Sequence, residues 1–346
     1  MRTFMFGRLR AFVRGRIARP LLAATLAVAL ATPALAQQEV KIGIGFGIGF
    51  LPTFILDDMK LVEKHAKAEG LDLKASYPRF SGSAAMQDAV LSGSVDVGVY
   101  GVQAMLIAWE KAKGTPQQII GIAGVTSLPL VLVTNQKDVK TLKDFKQSDR
   151  IAMPALVSPQ MYALQLAAQK VYGADQYDKL KPLVVSLPHP EALNQLLSGK
   201  TEVTAYFSSA PFTQIALKNP NIHTVLTSTD AFGGKASFLV AGATKKVLDA
   251  NPKLAVVLTK ALAEAQDVIK NDPKKAAEIY LKVEPSKTLD NAAVEAILKE
   301  LKDDFDVSVH GVGASAKFMA QIGQLKSPPA SWKDAFVPSL HNTQSD

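Results

Sequence analysis

The hydrophobic positions of the chain change period repeatedly, from the alternation typical of strands to the spacing typical of helices. Residues 39–47, EVKIGIGFG, alternate as a strand does, and residues 52–69 have helical spacing behind a proline suited to a first turn. Further strand-like runs lie at 71–79, 95–100, 118–125 and 128–135, with helical runs at 83–91 and 102–113. Strands that alternate with helices predict parallel βαβ units, and therefore an α/β fold.

A second series of the same kind follows, and the tail of the chain is helical. Strands are predicted at 150–153, 183–187, 202–207 and 223–227, with helices at 159–172, 190–197 and 211–218. Residues 235–242, KASFLVAG, form an extended run that could cross back to the first series. The pattern thus predicts two similar α/β lobes followed by helices.

One segment of each series repeats the other at an offset of 106 residues. The stretch 81–101, SGSAAMQDAVLSGSVDVGVYG, is echoed by 188–207, PHPEALNQLLSGKTEVTAYF, so that Tyr100 matches Tyr206. Ligands of open α/β sheets bind outside the carboxyl ends of strands, which predicts that both tyrosines face one cleft between the lobes. The alternative is that helix–glycine–strand units are common in α/β proteins and that the matching tyrosines are coincidental.

The first 36 residues have the features of a secretory signal peptide. Six arginines and no acidic residue precede an apolar run from 20 to 31, and Ala34-Leu35-Ala36 is a small-x-small cleavage site. We expect cleavage after Ala36, which gives a secreted product that begins at Gln37 and resides in a bacterial periplasm.

Removal of this leader changes the charge balance. The chain has 39 lysines and arginines, and without the six of the leader 33 remain against 31 acidic residues. A net charge near zero predicts no nucleic-acid partner and no direct binding to anionic membrane. The chain has no cysteine, so no disulfide and no lipid-modified cysteine is possible.

Several motifs of the chain resemble a family of transport proteins. They are FSGSAAMQDAVLSGSVDVGVYG (80–101), GFLPTF (49–54), MPALVSPQMYALQLAAQKVYGA (153–174) and APFTQIAL (210–217). With these motifs, nearly the whole mature chain is similar to periplasmic substrate-binding proteins of ABC importers, of the nitrate/sulfonate/taurine type.

The resemblance implies the type II periplasmic-binding-protein fold, in which two lobes are joined by two crossover strands and enclose a ligand cleft. Lobe 1 would comprise residues 37–131 and 238–346, and lobe 2 residues 132–237. The implied function is capture of a small solute, sulfonate-, nitrate- or carboxylate-like, and its delivery to an ABC permease with a cytoplasmic ATPase. Contact with the membrane would then occur only through the permease, and we expect a monomer.

The binding residues predicted from the sequence are serines at helix starts, one arginine and several aromatic side chains. Free N–H groups at a helix N-terminus favour an anionic oxygen, and Arg79 could fork onto a carboxylate or sulfonate. Helix capping, surface packing and core packing are the alternatives for these side chains. The full predicted set is Phe46, Phe50, Arg79, Ser81, Gly82, Ser83, Tyr100, Gly101, Ser158, Tyr206, Phe207 and Ser208.

No motif of the sequence indicates catalysis, a cofactor or a metal site. The five histidines form no H-E-x-x-H pair, and the sequence contains no G-x-S-x-G and no P-loop. The glycine-rich GIGFGIGF (43–50) lacks the full dinucleotide-binding pattern. The alternatives to a transport component are an exported enzyme on the same fold and a binding module that reports to a sensor.

Overall fold

A computed structural model of the protein describes residues 38–343. The predicted signal peptide and its cleavage site lie outside the described residues. Within that range no helix is both long and apolar enough to cross a membrane.

The described residues contain ten strands, which form two five-stranded sheets. The strands are β1 (Gln38–Gly43), β2 (Leu73–Ser76), β3 (Val97–Gly101), β4 (Ile119–Thr126), β5 (Val131–Thr134), β6 (Arg150–Met153), β7 (Val184–Ser186), β8 (Val203–Ser208), β9 (His223–Thr227) and β10 (Leu239–Thr244). The first sheet has the order β2-β1-β3-β10-β4, and the second has the order β7-β6-β8-β5-β9.

The two sheets share one topology. In each, three strands run parallel, and the fourth position holds a strand antiparallel to both of its neighbours: β10 in the first sheet and β5 in the second. Each of these antiparallel strands is the first that the chain enters after crossing between the sheets. The α/β fold with two lobes and two crossings is confirmed, while the lobe boundaries at 132 and 237 stay a prediction.

The two crossing segments lie side by side. Phe238 N donates to Thr126 O at 2.8 Å, and Ser228 N donates to Leu130 O at 2.8 Å. The Ser228 hydroxyl also accepts a bond from Leu130 N at 3.0 Å. The crossings therefore form one hydrogen-bonded connection between the sheets.

The helices cover the sheets and build most of the tail. Those of the first half are α1 (Leu51–Asp58), α2 (Leu61–Ala68), α3 (Ser83–Ser92) and α4 (Val102–Lys111). Those of the second half are α5 (Pro159–Tyr172), α6 (His189–Ser198), α7 (Phe212–Leu217) and α8 (Ser228–Phe232). The remaining helices are α9 (Lys245–Ala250), α10 (Leu254–Asn271), α11 (Pro273–Val283), α12 (Asn291–Leu301) and α13 (Val312–Gln321).

The single helix expected over residues 52–69 is two helices. The chain breaks between α1 and α2 at Lys60, whose φ of 52° lies in the left-handed region. Leu61 and Val62 are fully buried at the start of α2, so the turn aims a second apolar face at the core. Periodicity alone does not reveal this break, because the apolar spacing continues on both sides of it.

The repeat found in the sequence is a repeat of structure. Helices α3 and α6 begin 106 residues apart, as do strands β3 and β8. Each helix ends at a glycine in the left-handed conformation, Gly93 with φ 76° and Gly199 with φ 60°. A helix commonly ends at such a glycine because a side chain is disfavoured at positive φ.

We expect Gly93→Ala and Gly199→Ala each to lower the free energy of unfolding by about 1–2 kcal/mol, because alanine is strained in the left-handed region. Crowding is not the cause, since nothing lies within 4 Å of a Cβ built at either position. Gly234→Ala is the matched control: its Cβ also meets nothing within 4 Å, and its φ is outside that region. Urea unfolding measures the difference, and equal stability of the three variants would contradict the assignment.

Candidate solute-binding site

A cavity of about 170 Å³ lies between the two sheets. Its walls come from the segments that follow β1, β2, β6 and β7, which is the carboxyl edge of both sheets. The lining residues are Gly45, Phe46, Phe50, Phe80, Ser81, Gly82, Ser83, Met86, Val99, Pro154, Ala155, Ser158, Pro159, Gln160, Pro188, His189, Pro190, Phe238 and Leu239. The position is the one at which open α/β sheets bind ligands.

Three helices start at the cavity wall: α3, α5 and α6. Ser158 caps α5, since its Oγ accepts from Met161 N at 3.3 Å and donates to Ala155 O at 2.6 Å. Ser83 does not cap α3: Gly82 holds the cap position, and Ser83 Oγ instead accepts from Gly101 N at 3.1 Å. The predicted serine loop therefore lines the cavity, with Ser83 tied to the end of β3.

The two halves of the molecule meet closely beside this loop. A Cβ on Gly101, at the end of β3, would lie 2.5 Å from Cγ of Pro159, the first residue of α5. Only glycine fits at that distance without a shift of the backbone or of the proline ring. Gly101, predicted as a site residue, is thus a contact between the halves and is not on the lining.

Arg79 does not line the cavity either, because an acidic partner from the tail holds it. Its Nη2 donates to Oε1 of Glu284 at 3.0 Å, and its guanidinium lies 4.7 Å from the ring centre of Phe46 and 5.0 Å from that of Phe54. Glu284 also accepts from Gly47 N at 3.0 Å. The arginine is therefore paired beside the loop after β1, and it lines a neighbouring groove that shares Phe46 and Pro190 with the cavity.

Neither tyrosine of the repeat lines the cavity. The Tyr100 ring lies back over Gly98, where a Cβ would be 2.3 Å from Tyr100 Cε1, and the side chain is only 1% exposed. Burial raises the pKa of the Tyr100 phenol, and its hydroxyl has no hydrogen-bond partner among the described residues. Tyr206 is fully buried, and its hydroxyl bonds Nδ1 of His189. The structure does not bring the two side chains together.

Phe207 and Ser208, predicted beside Tyr206, belong to the core of the second sheet. Phe207 is fully buried, and Ser208 Oγ donates to Val131 O at 2.8 Å and lies 2.7 Å from Thr213 Oγ1. Of the twelve predicted site residues, those on the cavity lining are Phe46, Phe50, Ser81, Gly82, Ser83 and Ser158.

His189 is a lining residue that the sequence-based prediction missed. Its ring stacks on Phe212 with 5.1 Å between the ring centres, and Nε2 lies 3.3 Å from Ser209 Oγ. Burial lowers the pKa of His189 to about 4, so its ring is neutral near pH 7. The repeat itself carries the missed signal, because His189 stands 106 residues after Ser83, which lines the cavity at the same helix position.

Gln160, Met86, Phe80 and Phe238 also line the cavity and were not predicted. The three apolar side chains had no signal of their own, because the sequence cannot separate a cavity wall from ordinary core. For Gln160 the weak signal is its place directly after the capping Ser158 and Pro159.

Comparison with known proteins establishes the family. A sequence model of the NMT1-like family matches residues 34–282, so the chain belongs to the NMT1-like family. No curated protein matches the sequence.

Solved structures with the same fold include several binding proteins. The alkanesulfonate-binding protein SsuA from Xanthomonas axonopodis pv. citri, bound to MOPS, has a TM-score of 0.66 at 16% identity and covers 84% of this chain and 94% of its own. The periplasmic aliphatic sulphonate binding protein SsuA from Escherichia coli has the same TM-score and identity, with 88% and 98% covered.

The periplasmic nitrate-binding protein NrtA from Synechocystis PCC 6803 is more distant, with a TM-score of 0.56 at 14% identity, covering 76% of this chain and 70% of its own. All three of these neighbours are named as binding proteins.

The two tyrosines of the repeat should respond differently to loss of the hydroxyl. Tyr206→Phe removes the partner of His189 Nδ1, so we expect a loss of about 1 kcal/mol in the free energy of unfolding. Tyr100→Phe removes a buried hydroxyl without a partner among the described residues, so stability should be unchanged or higher. Urea unfolding of both variants checks this, and an equal loss in the two would contradict the assigned environments.

Proposed function

We propose that the protein is the periplasmic solute-binding component of an ABC importer. It would capture a small solute between lobe 1 (residues 37–131 and 238–346) and lobe 2 (residues 132–237), and deliver it to a membrane permease driven by a cytoplasmic ATPase. The observation that carries the proposal is the cavity between the carboxyl edges of two sheets with one topology. The family and the binding proteins that share the fold support it.

The proposal includes export and closure on the solute. The basic and apolar leader supports delivery to the periplasm, with cleavage after Ala36. The paired crossing segments, 127–130 and 228–238, support a hinge about which the lobes close, since a few residues between rigid bodies absorb such a motion.

The proposed solute is small and carries oxygen acceptors. The sulfonate- and nitrate-binding names of the structural neighbours, and helix N-termini at Ser83 and Ser158, support a solute with oxygen acceptors. The cavity lining contains no lysine or arginine to balance a full negative charge on the solute.

A direct test is mass spectrometry of protein purified from the periplasm, with its mass measured under native and under denaturing conditions. We expect the native ion to carry one small solute, which denaturation releases chemically unchanged and which raises the melting temperature when added back. Conversion of that solute into a product during incubation would contradict a binding role and favour the enzyme alternative.

A variant that fills the cavity supplies the control for this test. Gly82 lines the cavity with extended backbone (φ 174°), and nothing lies within 4 Å of a Cβ built there, so Gly82→Leu should fold and reduce solute occupancy at least tenfold. Gly234→Leu places the same side chain at another open position and should leave occupancy unchanged. Equal occupancy in the two variants would place the solute elsewhere.

A further inference from the structure

The Gln160 side chain is buried on the cavity wall without a hydrogen-bond partner. It is 1% exposed, and neither Nε2 nor Oε1 has a partner among the described residues. Among the other buried glutamines, Gln165 donates to Asp178 at 2.6 Å and Gln266 donates to Val125 O at 3.1 Å, while Gln103 has an Oε1 that is unpaired within the described range. Gln160 differs from Gln103 in that both of its amide atoms are unpaired there and that it lines the cavity. An unsatisfied buried amide is costly, and on a cavity wall its missing partners come from whatever occupies the cavity.

The charge of the cavity limits what that ligand can be. No lysine, arginine, aspartate or glutamate is on the lining, and His189 is neutral. The nearby cation Arg79 is engaged by Glu284. A buried anion without a counter-charge is strongly disfavoured, so the walls favour an uncharged solute.

The helix starts at the wall do not replace the missing cation. Pro159 and Pro190 occupy the first turns of α5 and α6, and a proline has no N–H to offer. Partial positive charge remains at these ends and suits one acceptor atom, such as a carbonyl oxygen.

The Gln160 amide presents a donor and an acceptor side by side. A carboxylate or sulfonate has only acceptors, so it would satisfy Nε2 and leave Oε1 without a partner. A neutral carboxamide or lactam edge offers a carbonyl and an N–H together, and it satisfies both atoms.

The remaining walls and the size of the cavity describe the rest of the solute. Phe50, Phe80, Met86 and Phe238 make the lining mostly apolar. The volume of about 170 Å³ is close to that of an apolar cavity of about 150 Å³ that takes up benzene in another protein. The space thus suits one ring with a small polar substituent.

We infer that the solute is uncharged and about the size of one ring, and that Gln160 recognises an amide-type edge that carries both a carbonyl and an N–H. This inference rests on the proposed solute-binding function and specifies its ligand. It departs from the anionic solute expected from the sequence.

Calorimetry with three probes of one ring size tests the inference. Benzamide is neutral with a donor and an acceptor, whereas benzoate and benzenesulfonate are anions with acceptors only. We expect the exported protein to bind benzamide at least tenfold more tightly than either anion.

Variants at Gln160 test whether its side-chain amide causes the preference for benzamide. Gln160→Leu should lower benzamide affinity at least tenfold and leave the melting temperature of the free protein unchanged or higher, because an unsatisfied amide is removed. Gln160→Glu keeps the shape, removes the donors and should also lower benzamide affinity. Gln214→Leu, at a glutamine that is not on the cavity lining, is the matched control and should bind as the unaltered protein does.

The possible results distinguish an error in the proposed ligand class from an error in the proposed solute-binding function. Tighter binding of benzoate or benzenesulfonate would overturn the inference and leave solute binding intact. Failure of all three probes to bind would overturn the ligand class, and the solute released from periplasmic protein would then decide the function independently. Benzamide binding that Gln160→Leu leaves unchanged would overturn the role of Gln160.

Discussion

The contact of Gly101 with Pro159 is the constraint on which the site depends. One residue ends β3 of the first sheet and the other begins α5 of the second half, and a Cβ on the glycine would lie 2.5 Å from the proline ring. At this contact the carboxyl edges of the two sheets face each other. The segments that follow β1, β2, β6 and β7 enclose a small space between these edges, and that space is the cavity.

Glu284 pairs with the arginine that lies beside the cavity. Its carboxylate accepts from Arg79 and from the backbone of Gly47, and it also receives the Tyr280 hydroxyl at 3.0 Å. The arginine nearest to the serine loop is therefore used to fix the chain after β1. The polar chemistry left on the cavity walls is neutral: serine hydroxyls, the imidazole of His189 and the amide of Gln160.

Much of the fold could be predicted from the sequence because it depends on local patterns. The change of hydrophobic period predicted the βαβ units, and the repeat at an offset of 106 indicated two matching helix–glycine–strand units, which the structure contains. The break between two helices at Lys60 was missed, because the turn does not interrupt the spacing of the hydrophobic residues.

From the sequence, the site residues were predicted correctly mainly where they lie at the start of a helix. Ser81, Gly82 and Ser158 mark helix starts, and helix starts after parallel strands lie at the ligand edge. Arg79 was misplaced because its partner is 205 residues away, a distance that no local pattern spans. The tyrosines were misplaced because the strands of these sheets are covered on both faces, so a side chain near a strand's end packs into the core.

Amide hydrogen exchange with and without the solute carried by the purified protein tests the central claim most directly. If the cavity between the sheets is the binding site, the backbone amides of residues 81–83, 86, 158 and 160 become protected together, because these residues come from both halves of the molecule and line one space. Protection of only one of these segments, or protection confined to residues 283–289 in the neighbouring groove, would contradict the account.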